Sequence, residues 1–386
     1  MRRGGRLAVT ALAVLLCSSG LGTTSARARP AAAVTGRAVQ LVRTTTARGL
    51  WCRAAMSPAW GALLARGLVG LSRRVDIQPI AGADDGRHFF ASMYSKAFSG
   101  VVEVDAGTSM YTPVHRFANP ATDQAAGSFD GRWLVWDEYH SLQGLDDFAV
   151  WSWDSKTGRL RQIGAATRST SGAFWSSDWV APVALDGFAA WEQGTRSGGD
   201  LYVVNLATGR SRVLSRGHPG GPLLVQGGLV VWPESTSSSS ATVMAAKVTT
   251  GQRRTPPPAL RALRGAITPL SDGSSLVYAS PSWTSVWWSP SMSDAPRDVF
   301  ASPANNPLQD SLVIAHGHVA FVDWPAAYVA DTRAGRYVEI NDIGLVVLDN
   351  ESLILVRPSA QKAAHAISDV IFLRLSSLPT FSACSR

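Results

Sequence analysis

The chain has 386 residues, 46% of them hydrophobic and 17% charged. That is enough length and apolar content for a sizeable core, and too little charge for a disordered chain. Its 36 basic and 28 acidic side chains give a formal net charge of +8, but Arg2, Arg3, Arg6 and Arg27 lie in the first 28 residues, which hold no acid, leaving 32 basic against 28 acidic and a net of +4. So small a surplus argues against a dedicated nucleic-acid binder, which clusters its Lys and Arg on one face.

Residues 1–28 read as an export signal. Three arginines open the chain, Leu7 to Leu16 is a short apolar run, and Ala26-Arg27-Ala28 has the small-x-small form of a cleavage site. The run is about ten residues, half of the roughly 20 that a membrane helix needs. Cys17 follows the bulky Leu16, whereas a lipid-modified cysteine follows a small residue. No later stretch is long and apolar enough to span a bilayer. The expected product is soluble after signal cleavage, and secreted or on the cell-envelope exterior.

Residues 29–75 follow as a leader and candidate ring-closing segment. RPAAAVTG after the cleavage site reads as a flexible leader. The stretch WCRAAMSPAWGALLARGLVG, residues 51–70, fits a short helix followed by a strand that would lie against the last repeat unit.

From residue 76 to 386 one pattern returns seven times: a tight turn, then an apolar strand that often ends in an aromatic. The segments are Asp85-Gly86-RHFFA, Asp130-Gly131-RWLVW, Asp186-Gly187-FAAW, Gly227-Gly228-LVVW, Asp272-Gly273-SSLVY, His316-Gly317-HVAFV and Asp349-Asn350-ESLIL. Their second turn residues are 45, 56, 41, 45, 44 and 33 positions apart, mostly within the span of about 40–50 residues of a four-stranded propeller blade. The long step of 56 places extra residues near Ala165 to Asp178, and the short one of 33 leaves minimal loops between Gly335 and Asp349. Each segment is followed by a second piece, best seen in Asp200-LYVVNLATGRSRVL, where alternating apolar residues give a half-buried strand and Thr-Gly closes a hairpin. One such unit cannot bury both its faces, so neighbours must pack around an axis. The fold class is all-β, a seven-bladed β-propeller of four-stranded antiparallel blades. Trp136, Trp191, Trp232 and Tyr278 end equivalent strands and read as wedges between blades. Cys52 and Cys384 lie near opposite ends of the exported chain, and a ring brings its ends together, so a disulfide is expected in an oxidising compartment.

At these residues the chain resembles the TolB-like propellers and, more loosely, YVTN-type repeats. The shared pattern is a D-G turn feeding a strand with a terminal aromatic, then x-L-Y-V-V-N-L-x-T-G; residues 186–214 match it best. The resemblance implies the fold over about 300 residues and no particular activity. Only about 47 residues precede the blades, so a TolB role in envelope integrity is not implied.

Acidic residues recur just after the aromatic: Asp137 and Glu138, joined by His140, then Glu192, Glu234 and Asp323. They would ring one rim of the propeller and could take a cation, a cationic peptide or a sugar. The competing reading is solubilising loop charge. His316 and His318 share a strand face, but His316 occupies the turn position that aspartate holds elsewhere, so no metal site is expected. The chain has no G-x-S-x-G elbow, phosphate loop or dinucleotide fingerprint, and no room after the seventh unit for the hydrolase domain of a prolyl-oligopeptidase. The expected function is a non-catalytic binding or scaffolding module without cofactor, monomeric, taking a protein, peptide or glycan and not nucleic acid. The alternative is a propeller-based glycan hydrolase or lyase with acids and histidines at the channel mouth.

Overall fold

Asp130 shows how a repeat unit starts. Its Oδ1 accepts the backbone N–H groups of Arg132 and Trp133, at 3.0 and 2.7 Å. Asp85 does the same for Arg87 and His88, and Asp272 for Ser274 and Ser275. The carboxylate thus satisfies amides that the turn leaves unpaired. Where both central residues take positive φ, as at His316 (48°) and Gly317 (78°), the turn has the twist that suits a two-residue hairpin. His316 is a turn former in the place of aspartate.

The computed structural model describes residues 50–384 except 72–74, 120–123, 141–146, 176–179, 197, 218, 220, 226, 238–239, 262–269, 281–283, 302–308, 324, 350 and 358–368. The expected export signal and residues 29–49 lie outside the described residues. Seven antiparallel sheets follow one another around a ring, a seven-bladed β-propeller. Blade one is Asp76–Gly82, His88–Tyr94, Ser99–Asp105 and Met110–Arg116, strands a to d from the axis outward. Blade two is Gln124–Phe129, Trp133–Tyr139, Phe148–Asp154 and Arg159–Ala165; blade three is Val183–Leu185, Phe188–Thr195, Gly198–Asn205 and Ser211–Gly217. Blade four runs from Leu223–Val225 through Leu229–Ser237 and Ser240–Lys247 to Arg253–Arg254, and blade five from Leu270–Ser271 through Leu276–Ala279 and Ser285–Ser289 to Arg297–Ala301. Blade six is Gln309–Ala315, His318–Asp323, Ala326–Asp331 and Arg336–Asn341. Strand a of each blade touches strand a of the next, and Leu345–Asp349 of blade seven touches Asp76–Gly82 of blade one, so the ring is closed.

Blade seven is built differently. Its strands a to c are Leu345–Asp349, Ser352–Arg357 and Asp369–Arg374, after which the chain leaves in a short 3₁₀ turn. The outer position is taken by residues 67–69, from before blade one. Val69 N–H donates to Val370 O at 2.9 Å, Phe372 N–H donates to Gly67 O at 2.8 Å, and Leu68 bridges Ile371 in antiparallel sense. A Cβ on Gly67 would fall on the Leu373 side chain and the Phe372 carbonyl, so only glycine lets the two backbones come this close. The helix Pro58–Arg66 precedes this strand and buries Trp60 against Phe381. Cys52–Arg53 adds a parallel fifth strand to blade six, and Cys52 is bonded to Cys384 with Cα atoms 5.6 Å apart.

Among the described residues the buried apolar side chains fall into seven clusters, one for each junction between blades. Trp136 lies in the one–two junction, Trp191 in two–three, Trp232 in three–four and Tyr278 in four–five. All four are buried. The long second-to-third step forms a small hairpin, with Arg168 bridging Phe174 and its guanidinium 3.6 Å from that ring's centre.

Candidate functional site

Strand b of blade two reads Trp-Leu-Val-Trp-Asp-Glu-Tyr, and its period of two sends Asp137 and Glu138 to opposite faces. Glu138 shares a face with Trp136 and turns toward blade one. Its Oε2 lies 2.9 Å from His115 Nε2, on strand d of blade one, and its Oε1 lies 3.8 Å from His140 Nδ1. The His115 ring packs 4.5 Å from Trp151 and 5.9 Å from Trp136, centre to centre. Glu138 is 1% exposed, while the side chains of His115 and His140 are 15% and 30% exposed.

Asp137, fully buried, faces the connection into blade three. It accepts the N–H of Ala126 at 3.0 Å and of Ala181 at 3.1 Å, and is hydrogen-bonded to the Tyr139 hydroxyl. That hydroxyl accepts the N–H of Val180 at 2.7 Å. Burial pushes the Asp137 carboxyl up to about 7, against the opposing pull of these hydrogen bonds. Burial and the charge of Asp137 push the Tyr139 phenol up as well.

This has a measurable consequence. The native state holds a proton on Asp137 that the unfolded chain releases near pH 3.9. The stability from this group is complete below that pH, declines as pH rises, and is gone above about 7. The wild type is expected to lose on the order of 3–4 kcal/mol relative to Asp137→Asn between about pH 4 and 7. Denaturant titrations of both proteins across that range check the slope; parallel curves would contradict it.

The position two residues after the strand-end aromatic is a joint between blades. In blade three, Trp191 Nε1 donates to Gln193 Oε1 at 3.0 Å, and Gln193 Nε2 donates to Thr167 Oγ1 at 2.9 Å, just past strand d of blade two. In blade four, Trp232 Nε1 and the Ser215 hydroxyl of blade three both donate to Glu234 Oε2, at 3.2 and 3.1 Å. Arg253 closes over the Trp232 ring at 4.7 Å and approaches the same oxygen at 4.0 Å. In blade two Glu138 holds the position and faces His115, but takes no hydrogen bond from the Trp136 indole. Asp323, buried, holds this position after Phe321 in blade six, whereas Glu192 follows Trp191 directly and shares the register of Asp137. The acids that the sequence places on one rim thus divide into two registers. Asp137, Glu138 and His140 are neighbours in blade two; Glu192, Glu234 and Asp323 lie in three other blades. His115 has no sequence motif around it. Its signal is its place on a strand d that faces the Trp-x-Glu of the next blade, visible only once strands are paired.

Among the described residues no group of three His, Cys, Asp or Glu side chains could hold a metal ion, and no helix is long and apolar enough to cross a membrane. The fold defines the class, a seven-bladed β-propeller with a disulfide between its two ends. No family model and no curated protein matches the sequence. Solved propeller structures do match. An oligogalacturonate lyase in complex with manganese superposes with a TM-score of 0.53 at 13% identity, over 79% of this chain and 91% of that one. A second oligogalacturonate lyase, from Vibrio parahaemolyticus, gives 0.53 at 11% identity, over 78% and 92%. A prolyl endopeptidase gives 0.52 at 16%, over 83% of this chain and 50% of its own. At these identities the likeness is one of fold.

Proposed function

We propose that the protein is an exported, TolB-like propeller that acts as a monomeric, non-catalytic binding or scaffolding module and takes a protein, peptide or glycan at one channel mouth. The observation that carries this reading is the use made of the ionisable side chains at the strand ends. Glu138 meets His115 across a blade junction, Glu234 takes Trp232 and Ser215, and Asp137 takes two backbone amides. Groups engaged in this way fix blade to blade and leave recognition to the loops of a rigid scaffold. The disulfide fits an extracellular setting, and the Asp-Gly turns with the YVVNLATG strand carry the TolB-like affiliation.

The second reading, a propeller-based glycan hydrolase or lyase, draws on one observation. The junction between blades one and two sets the Glu138 carboxylate beside the imidazoles of His115 and His140, a carboxylate–imidazole grouping that acid–base chemistry uses. One experiment separates the two. The exported chain is incubated with a panel of neutral and acidic polysaccharides, and new reducing ends and ultraviolet-absorbing unsaturated products are followed. The binding reading expects none, together with saturable capture of a partner from culture supernatant or envelope extract that untagged protein displaces. Turnover that disappears in a folded Glu138→Gln variant would replace it with the enzyme reading.

A further inference from the structure

Charge is sorted by strand position in blades two, three and four. The stretches 155–177, 206–233 and 235–271, which contain strand d of each blade with its flanks, hold no aspartate or glutamate. Counted from the glycine that closes each c–d turn, Gly158, Gly209 and Gly251, the third residue on is Arg161, Arg212 and Arg254. Arg159 and Arg210 follow the first two glycines directly, and Arg253 precedes Arg254. Five of these six arginines are exposed and Arg161 is half-buried. Of these six, only Arg253 has a carboxylate of a described residue within 4.0 Å, that of Glu234.

The arginines run on from blade to blade. A Cβ at Gly209 would fall on the Arg161 guanidinium, and one at Gly251 would meet that of Arg212. Each side chain therefore crosses the gap and lies over the turn from which the next strand d, with its own arginines, begins. We propose that this arc of guanidinium groups on the outer edge of blades two to four binds a linear acidic polysaccharide, at a site separate from the channel mouths. Guanidinium forks match carboxylate and sulfate groups in two-point geometry, and a row repeated from blade to blade suits a chain with repeated charges. Nucleic acid fits less well. The residues between the arginines are Leu160 and Ser211, with Gln162 and Val213 beyond, and Trp232, the ring under Arg253, is buried and cannot stack on bases. The disulfide also fits an oxidising compartment, where nucleic acid is not the usual partner.

The test uses the exported chain with labelled alginate oligosaccharides, heparin, neutral dextran and duplex DNA. Alginate or heparin is expected to bind, dextran is not. Affinity should fall about tenfold or more between about 0.01 M and 0.1 M salt, as the screening length contracts from about 30 to about 10 Å. Arg161→Gln, Arg212→Gln and Arg254→Gln together should weaken binding at least tenfold. Because Arg161 and Arg212 also pack on turns, Arg159→Gln with Arg210→Gln tests the arc through exposed side chains and should cost several-fold. Arg297→Gln with Arg333→Gln, in blades five and six, should leave binding unchanged. The proposal is overturned if neither acidic polysaccharide binds, if duplex DNA binds more tightly than both, or if the variants outside the arc lose as much as those within it.

Discussion

Replacing both Cys52 and Cys384 by serine is expected to lower the stability of the protein by up to about 5 kcal/mol. The bond joins residues 332 positions apart. On the chain-entropy model so long a loop removes more freedom from the unfolded chain than most disulfides do. The native side works in the same direction. Around the bond, Cys52–Arg53 pairs with Arg336 and Tyr337, Ala54 bridges Cys384, and Ser382 donates to Ala55 O at 3.0 Å. Behind them, Gly67–Val69 completes the outer edge of blade seven. We infer that this segment latches the ring, so that opening the bond loosens both chain ends at blades six and seven. Denaturant midpoints of the oxidised protein, the reduced protein and the double serine variant measure the effect. The last two should coincide and fall below the first. Hydrogen exchange should rise first in Gly67–Val69 and Asp369–Arg374. Equal midpoints for all three would remove the bond from the stability of the ring.

The repeat was legible because each unit carries its own local instructions. Asp85, Asp130 and Asp272 fold their turns with their own side chains, and Trp136, Trp191 and Trp232 mark the strand that follows. Such signals act over a few residues and survive in a bare sequence. The disulfide was legible from topology, since a closed ring has to bring its ends together. The outer strand of blade seven was legible only in outline, as a helix followed by a strand against the last unit within residues 51–70. The structure puts Gly67–Val69 there, about 300 residues from its partner, and three residues carry too little periodicity to fix the register. The site was harder still. Asp137 and Glu138 are adjacent in sequence yet serve different junctions, and the side chain that meets Glu138 is His115, from another blade. Spacing along a chain does not encode contacts made across a gap between two sheets.

Trp191→Ala is expected to cost about 3–5 kcal/mol. Its indole is 1% exposed, stacks on Tyr202 with ring centres 5.5 Å apart, and lies where a Cβ on Gly164 of blade two would collide with it. The tryptophan thus fills the space between two sheets, one of which gives up a side chain to receive it. Its loss removes the packing and also takes a donor from Gln193 Oε1, a buried acceptor whose amide is already committed to Thr167. An acceptor left unpaired adds about 1–3 kcal/mol in its own right. Trp191→Phe, which keeps most of the volume, should cost less than Trp191→Ala but still leave that acceptor bare. Adding Gln193→Leu to the alanine variant should recover part of the loss. Tyr111→Ala, at a residue 39% exposed on strand d of blade one, should stay within about 0.5 kcal/mol of wild type. The location of the damage matters more than its size. If each blade depends on its neighbours to bury its faces, hydrogen exchange in Trp191→Ala should quicken in blades two and three together and spread around the ring with decreasing effect. Loosening confined to blade three would mean that a blade holds its structure alone, and the packing argument for a seven-membered ring would fail.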